Sequence, residues 1–310
     1  MKVVILITTY NSSKTIVETL DSIKKQDCSS LNEIQAIYIA DDGSSDDTVI
    51  KAENNWNLNK PPLYIIKRPF NIGQSNNMNQ AIEILSSDTD WILLVHADNI
   101  AKSDWLKVML SQIKNCPDNV ASISSSYDDL LEDGRIIHGE DNNLKDREII
   151  VGNKDSIRGT LLRGCWWHFS HSALRIKAFK DIGYFDKDFK QKNDWDWLLR
   201  CLYKGWSIKY IPRTLFLYRH HRKSVSSKNF IQNIDIKETL RIINKYINII
   251  SKKSILYLHY QSLEAVIRRL LKSIVKFNLI RLFFCIEVLF IIFLNLLQCL
   301  YKKLHNQILD

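Results

Sequence analysis

The sequence predicts an α/β protein with a mostly parallel sheet, flanking helices and a helical appendage at its C-terminus. Segments with strand-like and helix-like patterns alternate from residue 3 to residue 124, which is typical of β-α-β units. Residues 231–310 contain neither Gly nor Pro and place apolar residues at helical spacing. With 310 residues, 45% of them hydrophobic and 25% charged, the chain can bury a large core.

Five apolar segments are predicted to be strands. The first, at residues 3–9, is continuously apolar, as expected for a strand buried on both faces. The others lie at residues 34–40, 63–67, 91–95 and 120–124. Helices with one apolar face are predicted between them, at residues 14–26, 46–56, 74–85 and 103–115.

The middle of the chain is less regular. Residues 126–160 are polar and are predicted to form irregular loops or short hairpins. Residues 161–220 are rich in Trp and Tyr, with one clear helix predicted at 194–204 and closed by Gly205. The six cysteines include no C-x-x-C pair, which excludes a zinc ribbon or a thioredoxin-type site and favours reduced thiols in the cytosol. The apolar run at the N-terminus is too short for a signal-peptide core.

Acidic and polar groups follow three of the predicted strands, where a parallel sheet places its ligand site. The segment D-D-G-S-S-D-D-T occupies residues 41–48, and paired carboxylates there can bind a base, a ribose hydroxyl or a metal. The alternative is a solvated turn in which Ser45 or Asp46 caps the next helix. His96 and Asp98 follow the fourth strand and can face one divalent cation. Between them, Gly73 at a helix start would let the backbone approach a phosphate or sugar, or Asn71 is an ordinary helix cap.

The order and spacing of these motifs, together with Thr8-Thr9-Tyr10-Asn11, resemble the nucleotide-sugar half of bacterial inverting family-2 glycosyltransferases. The resemblance implies the GT-A fold, a Rossmann-like sheet. It implies that the turn at residues 8–10 and Asp42 hold the base and ribose. Asp98 would contact the diphosphate and a divalent cation, Mn²⁺ or Mg²⁺. Here His96 replaces the first Asp of the D-x-D motif, and imidazole can bind manganese without adding negative charge. The implied donor site comprises Thr8, Thr9, Tyr10, Asp41, Asp42, Asn71, Gly73, Asn77, His96, Ala97 and Asp98.

Residues 164–200 resemble the second half of the same family. Gly183-Tyr184-Phe185-Asp186 matches its G-x-F-D motif, and Asn193-Asp194 matches its E-D motif with Asn in place of Glu. The resemblance implies that Asp194 is the base that takes the proton of the attacking hydroxyl in an in-line displacement. Capping of the helix N-terminus is the alternative role for Asp194, and both roles are compatible.

Further residues of this half are expected to contact the acceptor or the diphosphate. Indole rings stack on apolar sugar faces, so acceptor contacts are predicted for Trp166, Trp167 and Trp195, with core packing as the alternative. The basic segment at residues 218–226 is similar to segments that close the catalytic domain in bacterial members. It implies that His220, with Arg219 or Arg222 nearby, joins His96 and Asp98 at the diphosphate or metal. The alternative is a basic surface turn.

The C-terminal region carries most of the net positive charge. Residues 231–310 contribute +7 of the formal net charge of +9. Residues 263–276 form a basic amphipathic pattern, and residues 282–294 are apolar except for Glu287. A membrane span takes roughly 20 apolar residues, and extending this run to residue 301 adds Asn295 and Gln298. We predict a helix in the membrane interface, with Lys302 and Lys303 at the headgroups. A full span, or packing on the catalytic domain or a second subunit, stays open.

These patterns predict an inverting glycosyltransferase that uses a nucleotide-diphosphate sugar, with UDP or dTDP favoured. The expected acceptor is a glycan linked to a polyprenyl diphosphate, in surface-polysaccharide or O-antigen-type synthesis. Residues 1–230 would be the catalytic domain, with a nucleotide-sugar half at 1–125 and an acceptor half at 126–230, and residues 231–310 the membrane-associating region. The protein would lie on the cytoplasmic face of the cell membrane, without nucleic acid.

Two other functions are alternatives to this one. A nucleotidyltransferase would need a Gly-rich, Lys-containing loop after the first strand, and Thr9-Tyr10-Asn11-Ser12 stands there instead. A degenerate membrane scaffold that binds a nucleotide sugar without turnover is the stronger alternative. It is supported by His96 and Asn193, each of which replaces an acid of the family pattern.

Overall fold

The computed structural model describes residues 1–85, 87–139, 149–220 and 229–306. The chain divides into two compact units. The first consists of Met1–Asn153, Trp167–Phe185 and Arg200–His221. The second consists of Lys154–Trp166, Asp186–Leu199 and Arg222–Asp310.

A mixed sheet forms the centre of the first unit. Its strands are β1 (Val3–Thr9), β2 (Ile34–Asp41), β3 (Leu63–Lys67), β4 (Trp91–His96), β5 (Ile100–Ala101), β6 (Val120–Leu130), β7 (Ile136–Ile137), β8 (Ile149–Ile150), β9 (Ala173–Arg175) and β10 (Ser207–Arg219). Their order is β3-β2-β1-β4-β9-β6-β10-β5, with β7 on β6 and β8 on β10. The pairs among β1 to β4 and the pair β6–β10 are parallel, whereas β9 runs antiparallel to β4 and β6. The predicted mostly parallel sheet is confirmed.

The described helices are α1 (Ile16–Lys24), α2 (Cys28–Asn32), α3 (Thr48–Asn55), α4 (Gln74–Leu85), α5 (Trp105–Lys114), α6 (Lys154–Arg163), α7 (Ile176–Ile182), α8 (Asn193–Tyr203), α9 (Ile234–Lys245), α10 (Lys252–Val275) and α11 (Leu279–Asn306). Helices α1 to α5 connect the strands of the first unit, as the alternating pattern predicts. Their apolar faces pack on strands such as β1, every residue of which is buried.

The structure corrects the expectation for residues 126–160. Strand β6 continues to Leu130, although Ser and Asp make its second half polar. Ser122 Oγ donates to the Ala173 carbonyl (2.8 Å), and the buried Asp128 carboxylate pairs with Lys102 (2.6 Å). These bonds let polar residues lie inside a sheet. Helix α6 was also missed, because its buried face consists only of Ile157, Thr160 and Leu161.

The regular secondary structure described in the second unit consists of helices. It includes α6, the first seven residues of α8, and α9 to α11. The predicted helical appendage is therefore confirmed for the described part of residues 231–310. Within the described residues, one helical stretch, Leu279–His305, is long and apolar enough to cross a membrane. Of the residues in its most apolar 18-residue segment, only 17% are buried.

Candidate active site

The predicted donor-site motifs meet at the carboxyl edge of the first unit's sheet. Strand β1 lies between β2 and β4, with Thr9 opposite Asp41 and Thr8 opposite His96. The chain continues this pairing beyond the strands, because the Asp42 N–H donates to the Thr9 carbonyl (2.9 Å) and the Ala97 N–H to the Thr8 carbonyl (3.1 Å). The register of three parallel strands thus brings residues 8–10, 41–42 and 96–98 side by side.

The turn after β1 and the acidic turn after β2 are hydrogen-bonded to each other. The Asn11 N–H donates to Ser44 Oγ (2.8 Å), and the Ser45 N–H donates to Asn11 Oδ1 (2.9 Å). The fully buried Asp41 carboxylate accepts from the Ser44 N–H (3.0 Å). Asp41 therefore shapes its own turn, while Tyr10 is exposed beside it.

Asp42 fixes the loop that contains Gly73. Its two carboxylate oxygens accept from the backbone N–H groups of Ile72 (2.8 Å) and Gly73 (3.0 Å). Burial raises the pKa of Asp42, and these two donors oppose that rise. Gly43 makes the approach possible, because it has φ +72° and a Cβ there would lie 2.6 Å from the Phe70 carbonyl carbon. Open space surrounds Gly73, and Asn71 is exposed.

Asn77 is buried on α4 and holds the end of β2. Its Nδ2 donates to the Ala40 carbonyl (2.8 Å), and its Oδ1 accepts from Arg68 Nε (3.1 Å). Both polar groups of this side chain thus bond within the fold. The contribution of Asn77 to a donor site would be to support the acidic turn.

His96 ends β4 and is partly buried. Its Nε2 lies 3.3 Å from Gln74 Nε2, and its ring meets Phe169 edge-on at 5.3 Å. Burial lowers the pKa of His96, whereas the nearby Asp98 raises it. The balance favours the neutral imidazole, which is the form that binds a metal.

His96 and Asp98 are the side chains that could hold a divalent cation. Among the described residues, no group of three or more His, Cys, Asp or Glu side chains could form a metal site. Nucleotide enzymes bind Mg²⁺ through one or two protein carboxylates and complete its shell with substrate phosphates and water. A set of two protein ligands therefore fits a cation that is bound together with a diphosphate.

Arg219 and His220 lie at the end of β10 and already have partners. The Arg219 guanidinium donates to the Asp98 carbonyl (3.1 Å) and pairs with Glu18. It thereby braces the 96–98 turn through the backbone. His220 Nε2 lies 2.7 Å from Asp129 Oδ1. His221 and Arg222 lie outside the described residues.

Asp194 lies in the first turn of α8, in the second unit. Burial raises its pKa to about 6, opposed by the Trp195 N–H, by Lys192 and by the Cys165 side chain. The Trp195 N–H donates to Asp194 Oδ1 at 2.7 Å. A carboxylate with this pKa is ionised at pH 7 and is a stronger base than an ordinary aspartate, which suits proton abstraction.

Helix α9 holds the residues that precede Asp194. The buried Glu238 carboxylate accepts from the backbone N–H groups of Lys190 (2.6 Å), Gln191 (3.0 Å) and Lys192 (2.8 Å). Lys245 pairs with the fully buried Asp196 (2.6 Å). The sequence reasoning missed Glu238 and Lys245, because they lie in the segment interpreted as a membrane tail. The sequence signal that could have identified Glu238 is the presence of an acidic residue in a region with a net positive charge.

The three predicted acceptor tryptophans have different environments. Trp167 is 1% exposed, donates to Ser122 Oγ (3.0 Å) and stacks on Phe185, which favours a packing role in the first unit. In the second unit, Trp195 is also buried, with the Lys192 ammonium 4.9 Å from its ring centroid. Trp166 is partly exposed and donates to Thr160 Oγ1 (3.0 Å). Trp166 thus keeps the most accessible ring of the three.

The fold and the sheet-edge motifs define a glycosyltransferase of the GT-A class. The model of glycosyl transferase family 2 matches residues 4–182, which is more than half of the chain. The chain belongs to glycosyl transferase family 2. The resemblance read from the sequence is therefore confirmed.

Solved structures with the same fold and one curated relative are similar to this chain. The chain superposes on S. aureus TarS 1-349 in complex with UDP-GlcNAc with a TM-score of 0.61 at 20% identity, covering 80% of this chain and 66% of that one. It superposes on the mannosyltransferase PcManGT from Pyrobaculum calidifontis, in complex with GDP-Man and Mn²⁺, with a TM-score of 0.60 at 15% identity, covering 85% and 71%. The uncharacterized protein y4gI of Sinorhizobium fredii is 24% identical over 229 residues. That match covers 73% of this chain but only 23% of y4gI. These similarities confirm the GT-A fold.

Proposed function

We propose that the chain is an inverting glycosyltransferase that transfers a sugar from a nucleotide-diphosphate sugar to a glycan. The observation that carries this proposal is the meeting of residues 8–10, 41–42 and 96–98 at one sheet edge. Family membership supports the reaction class. Two structural neighbours were solved in complex with UDP-GlcNAc and with GDP-Man, which supports a nucleotide-sugar donor.

In the proposed reaction, the turn at residues 8–10 and Asp42 bind the base and ribose. His96 and Asp98 would hold a divalent cation, Mn²⁺ or Mg²⁺, which would offset the charge on the diphosphate. Asp194 takes the proton of the attacking acceptor hydroxyl as that oxygen bonds to the anomeric carbon. The bond from the same carbon to the diphosphate oxygen breaks on the opposite face, and the configuration inverts. Arg219 keeps the 96–98 turn in place through the Asp98 carbonyl.

The acceptor is proposed to be a glycan on a polyprenyl diphosphate, in surface-polysaccharide synthesis. The basic C-terminal region supports attachment to the cytoplasmic face of the membrane, where such acceptors are found. Among the three tryptophans, Trp166 is the candidate for contact with the acceptor, because its ring is partly exposed. UDP and dTDP are the proposed donor nucleotides.

A binding scaffold without turnover is the second candidate. Two residues favour it, since His96 and Asn193 stand where the family pattern has acids. Asp194 favours the enzyme instead, because it aligns with the base of the family and burial raises its pKa, as is common for catalytic acids and bases.

Nucleotide binding and turnover are tested separately. The melting temperature of the full chain is measured with UDP, dTDP, GDP and CMP, each with and without Mn²⁺. A ligand that binds the native state raises the melting temperature by mass action. We expect one nucleoside diphosphate to do so, with a larger rise in Mn²⁺, and its sugar conjugate to be hydrolysed slowly. A rise without any hydrolysis or transfer would favour the scaffold, and no rise with any nucleotide would refute the donor site.

A further inference from the structure

Helix α11 presents its most apolar face to the outside. The outward residues recur every three or four positions, so they form one continuous stripe along the helix. Each of them is at least half exposed. They are Phe283, Ile286, Phe290, Phe293, Leu297, Tyr301 and Leu304.

Helix α10 presents a similar apolar stripe, and the turn between the helices continues it. The stripe on α10 consists of Leu256, Tyr260, Leu263, Ile267, Leu271 and Ile274, all of them exposed. Phe277 in the turn is 89% exposed, and Leu279 at the start of α11 is 75% exposed. The hairpin of residues 252–306 therefore exposes apolar side chains from its open end to its tip.

The inward faces of these two helices combine buried apolar residues, such as Val288 and Ile292, with several bonded polar groups. On α11, Glu287 pairs with Lys237 (2.8 Å) and Asn295 Oδ1 lies 3.0 Å from His259 Nε2. The thiol of Cys299 lies 3.2 Å from Asn244 Oδ1. Helices of water-soluble proteins expose mainly polar residues, whereas this hairpin leaves a continuous apolar stripe exposed and turns several of its polar groups inward.

On α10, the guanidinium of Arg269 also points inward. It makes two bonds to the Asp235 carboxylate of α9, at 2.8 and 2.6 Å. Both partners are largely buried, with side-chain exposures of 13% and 9%. The polar side of the hairpin is thus bonded to α9 at several points.

These inward bonds argue against α11 as an independent membrane span. Glu287 and Cys299 are separated by about 18 Å along the helix, at 1.5 Å per residue. Over this distance the helix is bonded to α9 and α10. A span would leave these polar groups without partners in hydrocarbon, where each unsatisfied group is costly.

Cations border the apolar stripes. Lys272 lies beside the stripe of α10, Lys276 lies at the tip, and Lys302 lies near the end of α11, all exposed. A symmetric dimer through this face would bring the same cations towards their copies in the partner. A bilayer with anionic headgroups complements both the apolar stripe and its basic border.

We propose that the α10–α11 hairpin enters one leaflet of an anionic phospholipid bilayer without crossing it, while its polar side stays bonded to α9. This deepens the membrane association in the proposed function and rests on it. The hairpin itself is the lipid-binding surface, and α9 remains in water above it.

The first test is flotation of the full chain with phosphatidylcholine vesicles, with and without phosphatidylglycerol. We expect flotation that increases strongly with phosphatidylglycerol. The double variant Phe283→Ser/Phe290→Ser should bind at least about tenfold more weakly, because two inserted rings are lost. The control Ile50→Ser/Ile84→Ser changes residues of similar exposure in the first unit and should bind like the parent. Circular dichroism and melting temperature show that each variant is folded.

The second test separates insertion into one leaflet from a span. Arg281→Cys and Lys302→Cys are each made in a Cys28→Ser parent, added to preformed vesicles and exposed to a membrane-impermeant maleimide. Labelling of the parent, which keeps the partly exposed Cys116 and Cys165, is subtracted. The two positions are about 31 Å apart along the helix, which is close to the hydrocarbon thickness. The proposal predicts labelling of both sites at rates near those in detergent. Protection of one site until detergent is added would show a span and overturn it.

Failure of this proposal differs from failure of the proposed function. No flotation with either vesicle, together with a dimer by light scattering, would assign the apolar face to a second copy and reject the lipid surface. The nucleotide-dependent rise in melting temperature would still test the donor site independently of that result. Flotation without any nucleotide effect would keep the lipid surface and reject the transferase.

Discussion

The two units hold their predicted functional residues in different ways. In the first unit, the donor-site motifs are placed by the register of neighbouring strands and by short turns that bond to one another. In the second, the loop before Asp194 is held by one carboxylate, that of Glu238, which lies 46 to 48 residues further along the chain. A site made by backbone register tolerates many side-chain changes, whereas a site held by one side chain fails when that side chain is removed.

The largest expected effect is on turnover, in the second unit. Asp194→Asn removes the proposed base and should lower the transfer rate by roughly 100-fold or more. The nucleotide-dependent rise in melting temperature should be unchanged, because binding of the donor is assigned to the first unit. Asp188→Asn, an exposed acid six residues earlier, is the control and should keep its activity. Loss of nucleotide binding in Asp194→Asn would mean that the two roles are not separated between the units.

Glu238→Ala tests whether one side chain holds the loop. It leaves three backbone N–H groups without their acceptor and should destabilise the fold by about 3 kcal/mol. The transfer rate should fall by about tenfold as Asp194 loses its fixed position. Glu264→Ala removes an exposed acid that pairs with Arg268 on α10, and should change stability by no more than about 0.5 kcal/mol. Equal effects of the two variants would contradict the positioning role, as would unchanged turnover in Glu238→Ala. Rescue of turnover by Glu238→Gln, which keeps one acceptor oxygen, would support it.

A glycine pair tests the backbone-built site of the first unit. Gly43 and Gly134 both have positive φ, but only Gly43 meets backbone atoms where a Cβ would lie. Gly134→Ala should cost about 1 kcal/mol from its dihedral angle alone. Gly43→Ala should cost about 2 kcal/mol more and weaken nucleotide binding, because the loop at 70–73 must move away from Asp42. Similar melting curves and nucleotide effects for the two variants would show that the close approach is unimportant.

The smallest expected effect is a pH dependence of turnover. Because burial raises the pKa of Asp194 to about 6, its ionised fraction falls as the pH drops through that value. The transfer rate should decrease by about tenfold from pH 7 to pH 5. The same raised pKa means that the folded state disfavours the charged form, so the contribution of Asp194 to stability declines as the pH rises from 4 to about 6. The residual activity of Asp194→Asn should lack this pH dependence, and a pH profile like the parent's would assign it to another group.

The local pattern of apolar residues was sufficient to predict the strands and helices that carry the candidate site of the first unit. The bounds of β1, β3 and α4 agree with the prediction, because continuous apolar runs and a clear amphipathic period leave little choice of structure. The second half of β6 was not predictable in this way. Its buried polar residues are tolerated only because of partners such as Lys102, which lies far away in sequence.

The residues of the candidate site likewise divide into those that the sequence predicted and those that it did not. The motifs after β1, β2 and β4 were identified in the sequence as candidate residues, and their roles stay predictions. The importance of Glu238 was not visible, because an acid on a helix has no local signature for accepting three N–H groups of a distant loop. Residues whose partners are set by tertiary structure become apparent only once that structure is known.

Helix α9 is bonded both to the segment around Asp194 and to the α10–α11 hairpin. Glu238 bonds to the loop before Asp194 and Lys245 to Asp196, whereas Asp235, Lys237 and Asn244 contact the hairpin. Two ligands that favour the same ordered arrangement of one element share a coupling free energy, and the coupling acts equally in both directions. If lipid orders the hairpin, it also favours the arranged loop, and an acceptor bound at that loop strengthens attachment to the lipid by the same factor. The protein would then remain on the membrane longest while it holds a substrate.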